Sequence, residues 1–237
     1  MPEPAGKHDP STPLLTLHVG KVRPYTRAGT TSAIAKSPVG GRLRITTLGL
    51  AGDEQADLRV HGGVDKAIHH YPLDHYAAWR QEIAHPLLDS AGAFGENFST
   101  QGWTEASVHF GDIVQAGSAV LQVSQGRQPC WKLNDRFGQP DMARRLQSTG
   151  RTGWYYRVLE EGAISAGDRL IVLERPYPQW PLSLLMDMLF QRTLDLALLR
   201  SASALPLPPS WKKLIEHRLA RNEVESWQKR LEGPDGT

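Results

Sequence analysis

The chain has 237 residues, of which 40% are hydrophobic and 22% charged, with a formal net charge of +2. That composition supports one packed domain, or one with a small appendage, and excludes an intrinsically disordered chain as the default. A general nucleic-acid binder is excluded too, because no dense Lys/Arg block appears.

Cys130 is the only cysteine, so an internal disulfide and the CxxC and Cys₂His₂ zinc patterns are ruled out. No stretch approaches the ~20 apolar residues of a membrane span, and the start lacks the basic and apolar regions of a signal peptide. The expectation is a cytoplasmic protein without a membrane partner.

In chain order, residues 1–13 carry four prolines and few apolar side chains, and are expected to form a flexible leader. Leu15, Leu17 and Val19 alternate with polar partners, and Leu43 and Ile45 repeat the pattern, which is the period of half-buried strands. Between them, 27–41 reads as loop with room for a short strand at 32–36. Residues 49–63, rich in Gly, Asp and charge, read as a long loop of the kind that is often functional. Pro72 is placed in the first turn of a helix with the stripe Leu73, Tyr76, Ala77 and Ile83. Short strands follow at 108–110, 113–115 and 119–123. Asp141 is the expected cap of a short helix that stops at Gly150, with Met142 and Leu146 on one face. Segments 154–159 and 169–173 are further strands, with Gly162 and Gly167 in the turn between them. Many short strands with Gly-rich turns point to a barrel or sandwich.

Pro176, Pro178 and Pro181 make a stiff linker. Beyond it the apolar period is helical: Leu185, Met188 and Leu189, then Leu194, Ala197 and Leu198. Ser210 is the expected cap of a helix with the stripe Trp211, Leu214, Ile215 and Leu219, and Val224, Trp227 and Leu231 form another stripe. The expected division is a leader over 1–13, a β domain over 14–175 and a helical extension over 182–232.

The chemistry centres on a few segments. Cys130 falls on a loop beyond a strand, with Arg127 and Lys132 close in sequence. Nearby cations stabilise a thiolate, which is both the nucleophilic form and a soft metal ligand. A buried, inert thiol is the commoner fate of a lone cysteine, and spacing alone does not displace that reading. In the 49–67 segment, Gly52, Gly62 and Gly63 let backbone N–H groups approach phosphate oxygens. His61 and Lys66 can donate to an anion, and Asp53 and Asp65 can orient donors. Plain turn chemistry explains the same Gly and Asp residues. Neither a GxxxxGK[ST] nor a GxGxxG run occurs.

His61, His69 and His70 raise zinc as a ligand, but no HExxH pattern supports it. Ser124 lacks a GxSxG elbow. Glu96 and Asn97 either bind a ligand or satisfy loop backbone, the second being favoured. Trp131, Trp154, Tyr155 and Tyr156 line a pocket or, as preferred, pack the core.

Taken in order, these residues resemble the MOSC family, named for the C-terminal domain of molybdenum cofactor sulfurase, and most closely its bacterial hydroxylaminopurine-resistance subgroup. The resemblance lies in 32–36, Gly49-Leu50-Ala51-Gly52-Asp53-Glu54-Gln55, His61-Gly62-Gly63 with Asp65 and Ala67, Phe94-Gly95-Glu96-Asn97, Val123-Ser124-Gln125, and Pro129-Cys130 with Lys132-Leu133-Asn134. Ala51 stands where the family pattern is often acidic. The helical tail is similar to the subgroup's three-helix extension.

The resemblance implies a mainly β protein with α elements: a closed, bent β-barrel like the one inserted in pyruvate kinase, followed by that extension. It implies a molybdenum cofactor on Cys130 and detoxifying reduction of N-hydroxylated compounds such as hydroxylaminopurines, hydroxylamines and amidoximes. Lys36, Gly52, Asp53, Gln55, His61, Gly62, Gly63, Asn97, Ser124, Arg127 and Asn134 match motif positions expected around the cofactor. Lys132 and His61 are the expected proton donors beside Cys130.

No side chain performs such a redox step alone. No iron–sulfur cysteine set or flavin fingerprint occurs, so electrons are expected from a separate reductase. Pyridoxal phosphate is associated with the family, but no motif here argues for a Schiff-base lysine. Two other readings stand beside the reductase: a sulfur carrier with a Cys130 persulfide, and a non-catalytic module that binds a small anion. The helical tail covers a barrel face or makes a homodimer contact.

Overall fold

In the computed structural model, which describes residues 10–58 and 62–233, the strands are short, as the closely spaced turn residues require. They are β1 (Ser11–Pro13), β2 (Thr16–Gly20), β3 (Arg23–Pro24), β4 (Thr31–Ser32), β5 (Lys36–Pro38), β6 (Leu43–Thr46), β7 (Gly49–Leu50), β8 (Ile68–His70), β9 (Phe98–Ser99), β10 (Ile113–Ala116), β11 (Ala119–Gly126), β12 (Trp154–Glu160), β13 (Gly162–Ile164) and β14 (Arg169–Glu174). The helices are α1 (Asp74–Glu82), α2 (Lys132–Phe137), α3 (Met142–Thr149), α4 (Leu182–Phe190), α5 (Leu196–Ser203), α6 (Pro209–Arg221) and α7 (Gln228–Glu232).

Nine strands form one sheet in the order β1-β14-β10-β11-β12-β8-β9-β2-β5, antiparallel except for the β8–β9 pair. Smaller sheets join β13, β6 and β7, and β3 with β4. Register shifts fall at Ile113/Val114 against β14 and at Val120/Leu121 and Val123/Gln125 against β12. Each such irregularity bends a strand and adds twist, which curls the sheet. Only Leu14 and Leu15 separate β1 from β2, although those strands lie towards opposite ends of the order.

The barrel is not closed, contrary to expectation: the sheet is a half-barrel whose hydrogen-bonded order ends at β1 and β5. Pro13 and Pro38 sit in those two edge strands. Lacking N–H groups, they suit an edge that takes no further partner.

Several local expectations change. Ser11–Pro13, placed in the leader, pairs with Arg169 to Ile171; residues 1–9 lie outside the described residues. Residues 108–110 form no strand; His109 makes a single bridge to Pro181 and Phe110 N donates to Trp180 O. Pro72 precedes α1, which starts at Asp74. Asp141 precedes α3 without a side-chain cap bond, because its carboxylate takes Arg145 instead. Pro209, rather than Ser210, opens α6, its fixed φ suiting the first turn. Gly162, read as turn, begins β13.

The main core joins the inner face of the sheet, including Leu121, Val123, Trp154 and Tyr156, to Leu185, Met186, Trp211 and Ile215 of the tail. Among the described residues the tail comprises α4, α5 and α6, followed by the short α7. Its α4 is apolar on nearly every side, as a buried helix should be. Arg218, fully buried, caps the C-terminal end of α4 by donating to Met188 O and Leu189 O, and Glu225 balances its charge. A second cluster packs Tyr71, Trp79 and Phe94 against Leu133, Phe137 and Leu146, which fixes α2. No helix among the described residues is long and apolar enough to cross a membrane.

Candidate functional site

The segment after β11 sits beside both clusters. Arg127 N donates to Gly153 O, and the chain then turns so that Leu133 N and Asn134 N donate to Cys130 O and Trp131 O, starting α2. Cys130 is therefore held at the mouth of a short helix. Its residue is only 7% exposed, yet it lines a cavity of about 600 Å³ that opens to solvent.

The opposite wall comes from the β5 edge, the 53–55 turn and the 94–97 turn. The Lys36 ammonium pairs with the Asp53 carboxylate, both nearly covered. Asp53 also accepts from Gly20 N at 2.7 Å and from Asn97 Nδ2 at 2.8 Å, and Asn97 Oδ1 accepts from His69 N at 3.0 Å. Burial pulls the Lys36 pKa down, and Asp53 opposes that. This network joins three separate loops and leaves its outer face on the cavity.

The remaining wall is cationic. Lys132 Nζ donates to Thr31 O at 2.7 Å. Arg127 is buried, and its Nη1 has no hydrogen-bond partner among the described residues. Lys66 has its pKa lowered to about 8, first by burial and then by the charge of Arg230, against the opposing pull of Asp65 and Cys130. His69 packs its ring 5.0 Å from that of Tyr155. Burial first, then Arg127, keeps its pKa well below the usual histidine range, so the imidazole is neutral at pH 7.

The structure thus gathers Lys36, Asp53, Gln55, Asn97, Arg127, Cys130 and Lys132 on one cavity. Five others do not line it. Ser124 is the extra residue at the Val123/Gln125 register shift, and its hydroxyl donates to Asp65 O at 2.6 Å. Asn134 staples three elements: its Nδ2 donates to Leu231 O and its Oδ1 accepts from Ala143 N. Gly52 stands in an open turn with φ 89°. Gly62 makes room for the Gln55 side chain, which a Cβ there would meet at 2.1 Å. Gly63 leads the 3₁₀ turn Val64–Lys66. His61 lies outside the described residues.

Glu96 satisfies loop backbone, as favoured, accepting from Gly92 N, Phe94 N and Tyr76 Oη. No group of three or more His, Cys, Asp or Glu side chains among the described residues is placed to hold a metal ion.

Sequence reasoning weighed His69 only as a zinc ligand and assigned Tyr155 to the core. The two are register partners on β8 and β12 and line the same cavity. Alternation in 154–159 held a signal for Tyr155, whereas three-residue β8 shows no alternation to read.

Comparison with known proteins adds the family. A family model described as MOSC domain matches residues 57–171, and one described as YiiM-like, 3-alpha helix domain matches 180–222. Protein YiiM of Escherichia coli is 42% identical over 221 residues, covering 92% of this chain and 97% of that protein. A Gibberella moniliformis protein named Reductase is 39% identical over 209 residues, which span 87% of this chain and 37% of that protein. The crystal structure of YiiM from Geobacillus stearothermophilus matches with a TM-score of 0.75 and 33% identity, covering 88% of this chain and 99% of that one. This chain therefore belongs to the MOSC-domain family, and its helical tail includes a YiiM-like segment.

Proposed function

We propose that this protein is a cytoplasmic reductase of N-hydroxylated compounds that works with a molybdenum–pterin cofactor held through the Cys130 thiolate. The observation that carries this reading is one soft sulfur ligand on a cavity wall that also presents Lys66, Arg127 and Lys132. The residues fit such a group: sulfur suits the metal, and the unpartnered Arg127 Nη1 suits a phosphate oxygen. The carboxamides of Gln55 and Asn97, both on the cavity, offer polar contacts to a heterocycle. When bound, such a group would supply the two-electron chemistry that N–O cleavage requires, which no side chain can do. The MOSC match and the name of the Gibberella relative support the oxidoreductase class.

The chain's own residues have separable tasks in this reading. The Lys36–Asp53–Asn97 network keeps the three loops of the far wall in register. Arg127 and Lys132 hold anionic groups close to Cys130. Lys66, with its pKa near 8, carries at neutral pH a proton that it can give to a departing hydroxyl oxygen. Electrons come from a separate reductase. The test is turnover of an amidoxime with a chemical electron donor. Cys130→Ser is expected to reduce it to background while circular dichroism stays unchanged; wild-type turnover in that variant removes the ligand role.

A further inference from the structure

A smaller cavity of about 340 Å³ lies on the other side of Cys130. It shares Lys66, Arg127, Cys130 and Tyr155 with the larger one and adds Gln125 and Arg230. No carboxylate among the described residues lines it. Two of its buried polar atoms, Arg127 Nη1 and Gln125 Oε1, have no hydrogen-bond partner among the described residues. Arg230 comes from α7, beyond both the 57–171 and 180–222 family matches.

Its position is fixed from the Cys130 side of the fold. Trp131 N donates to Arg230 O at 2.8 Å, Asn134 Nδ2 to Leu231 O at 2.8 Å and Arg27 Nη1 to Glu232 O at 2.8 Å. Trp131 and Asn134, just after the cysteine, together with Arg27, thus grip the α7 backbone carbonyls from Arg230 to Glu232.

We propose that α7 completes the site, and that Arg230, Lys66 and Arg127 form an oxyanion subsite beside Cys130 that takes a phosphate group. Three cations facing one cavity repel each other, and that cost is offset when an anion enters. The electrostatics are compatible with this: burial first, then Arg230, lowers the Lys66 pKa, and burial lowers that of Arg230, with a smaller push from Arg127 against the opposing pull of Cys130 and Tyr155. The buried Arg127 Nη1 is a donor ready for an oxygen that none of the described residues supplies. The subsite does not depend on molybdenum, so it can fail while the reductase reading stands, and the reverse.

The test uses the full chain made in cells that cannot synthesise the pterin cofactor. Inorganic phosphate is titrated in by calorimetry, and protection of Cys130 from iodoacetamide is followed at fixed pH. Wild type is expected to bind phosphate and to be protected. Arg230→Gln should weaken binding by at least about tenfold, the loss of one charge-assisted hydrogen bond, with an unchanged melting temperature. Arg230→Lys should recover part of it. Lys212→Gln removes the same charge from the exposed face of α6 and should change nothing.

No phosphate binding by wild type, or equal binding in wild type and Arg230→Gln, overturns the proposal; so does equal weakening by Lys212→Gln. Protein loaded with the cofactor then identifies the source. If the cofactor's own phosphate occupies the subsite, free phosphate no longer binds; if a phosphorylated substrate uses it, binding persists.

Discussion

Asp53 shows how much of the site rests on single side chains. Its carboxylate holds the Lys36 ammonium, Gly20 N and Asn97 Nδ2 together where water is nearly excluded. Asp53→Ala leaves a buried lysine without its counter-charge, which costs about 3–5 kcal/mol. Urea denaturation is expected to show that loss, and a change below about 1 kcal/mol would mean that the pair is dispensable.

Asn134 is a second case: Asn134→Ala leaves Leu231 O and Ala143 N without their partners. A loss of about 1–3 kcal/mol is expected, together with faster hydrogen exchange in α7; tail exchange at the wild-type rate would contradict the staple. At this scale the sequence made Cys130, Arg127 and Lys132 visible, because cations beside a lone thiol have a direct chemical meaning. Ser124 and Asn134 sit in the same motifs but turn away from the cavity. A motif records that a residue is needed, not whether it faces ligand or backbone.

Among the elements, β8 explains two features the sequence could not express. It is three residues long and wholly buried, so it has neither alternation nor helical period to read. The two-residue β9 is hidden for the same reason. Longer β11, β12 and β14 were legible because their apolar residues repeat over a useful length.

Burial in β8 depresses the His70 pKa to about 3. Its ring stacks on Trp154 and shares hydrogen bonds with Tyr156 Oη and Thr100 Oγ1. Below pH about 6.5 the unfolded chain gains a proton that the folded imidazole refuses, so stability is full above that pH and falls as pH drops towards 3. Between pH 7 and pH 5 this one residue should remove about 2 kcal/mol. His70→Gln should show a shallower pH slope in chemical denaturation over that range; an identical slope would assign the effect elsewhere.

Gly153 guards the same element from the β12 side. It has φ 71°, and an added Cβ would lie 2.2 Å from His70 O. Gly153→Ala is therefore expected to cost about 2 kcal/mol or more, and a neutral melting temperature would show that the backbone there can yield.

At the scale of the whole molecule, a curled, open sheet brings the β5 edge, the 53–55 and 94–97 turns and the Cys130 turn round one cavity. The composition and short Gly-separated strands made a β-rich curved architecture readable. Closure was not readable, because it depends on which strands end the order and on proline at those edges. The reach of the tail was hidden too: apolar stripes announce that helices pack, but not that α7 returns to the residues after Cys130.

The claim on which the functional account rests is that Cys130 holds a metal-bearing pterin. Molybdenum and pterin should be measured in wild type and Cys130→Ser, both purified from cells that make the cofactor. The account predicts about one molybdenum per wild-type chain and almost none in the folded variant. A correctly folded wild type without molybdenum, carrying instead a sulfur adduct on Cys130, would contradict it.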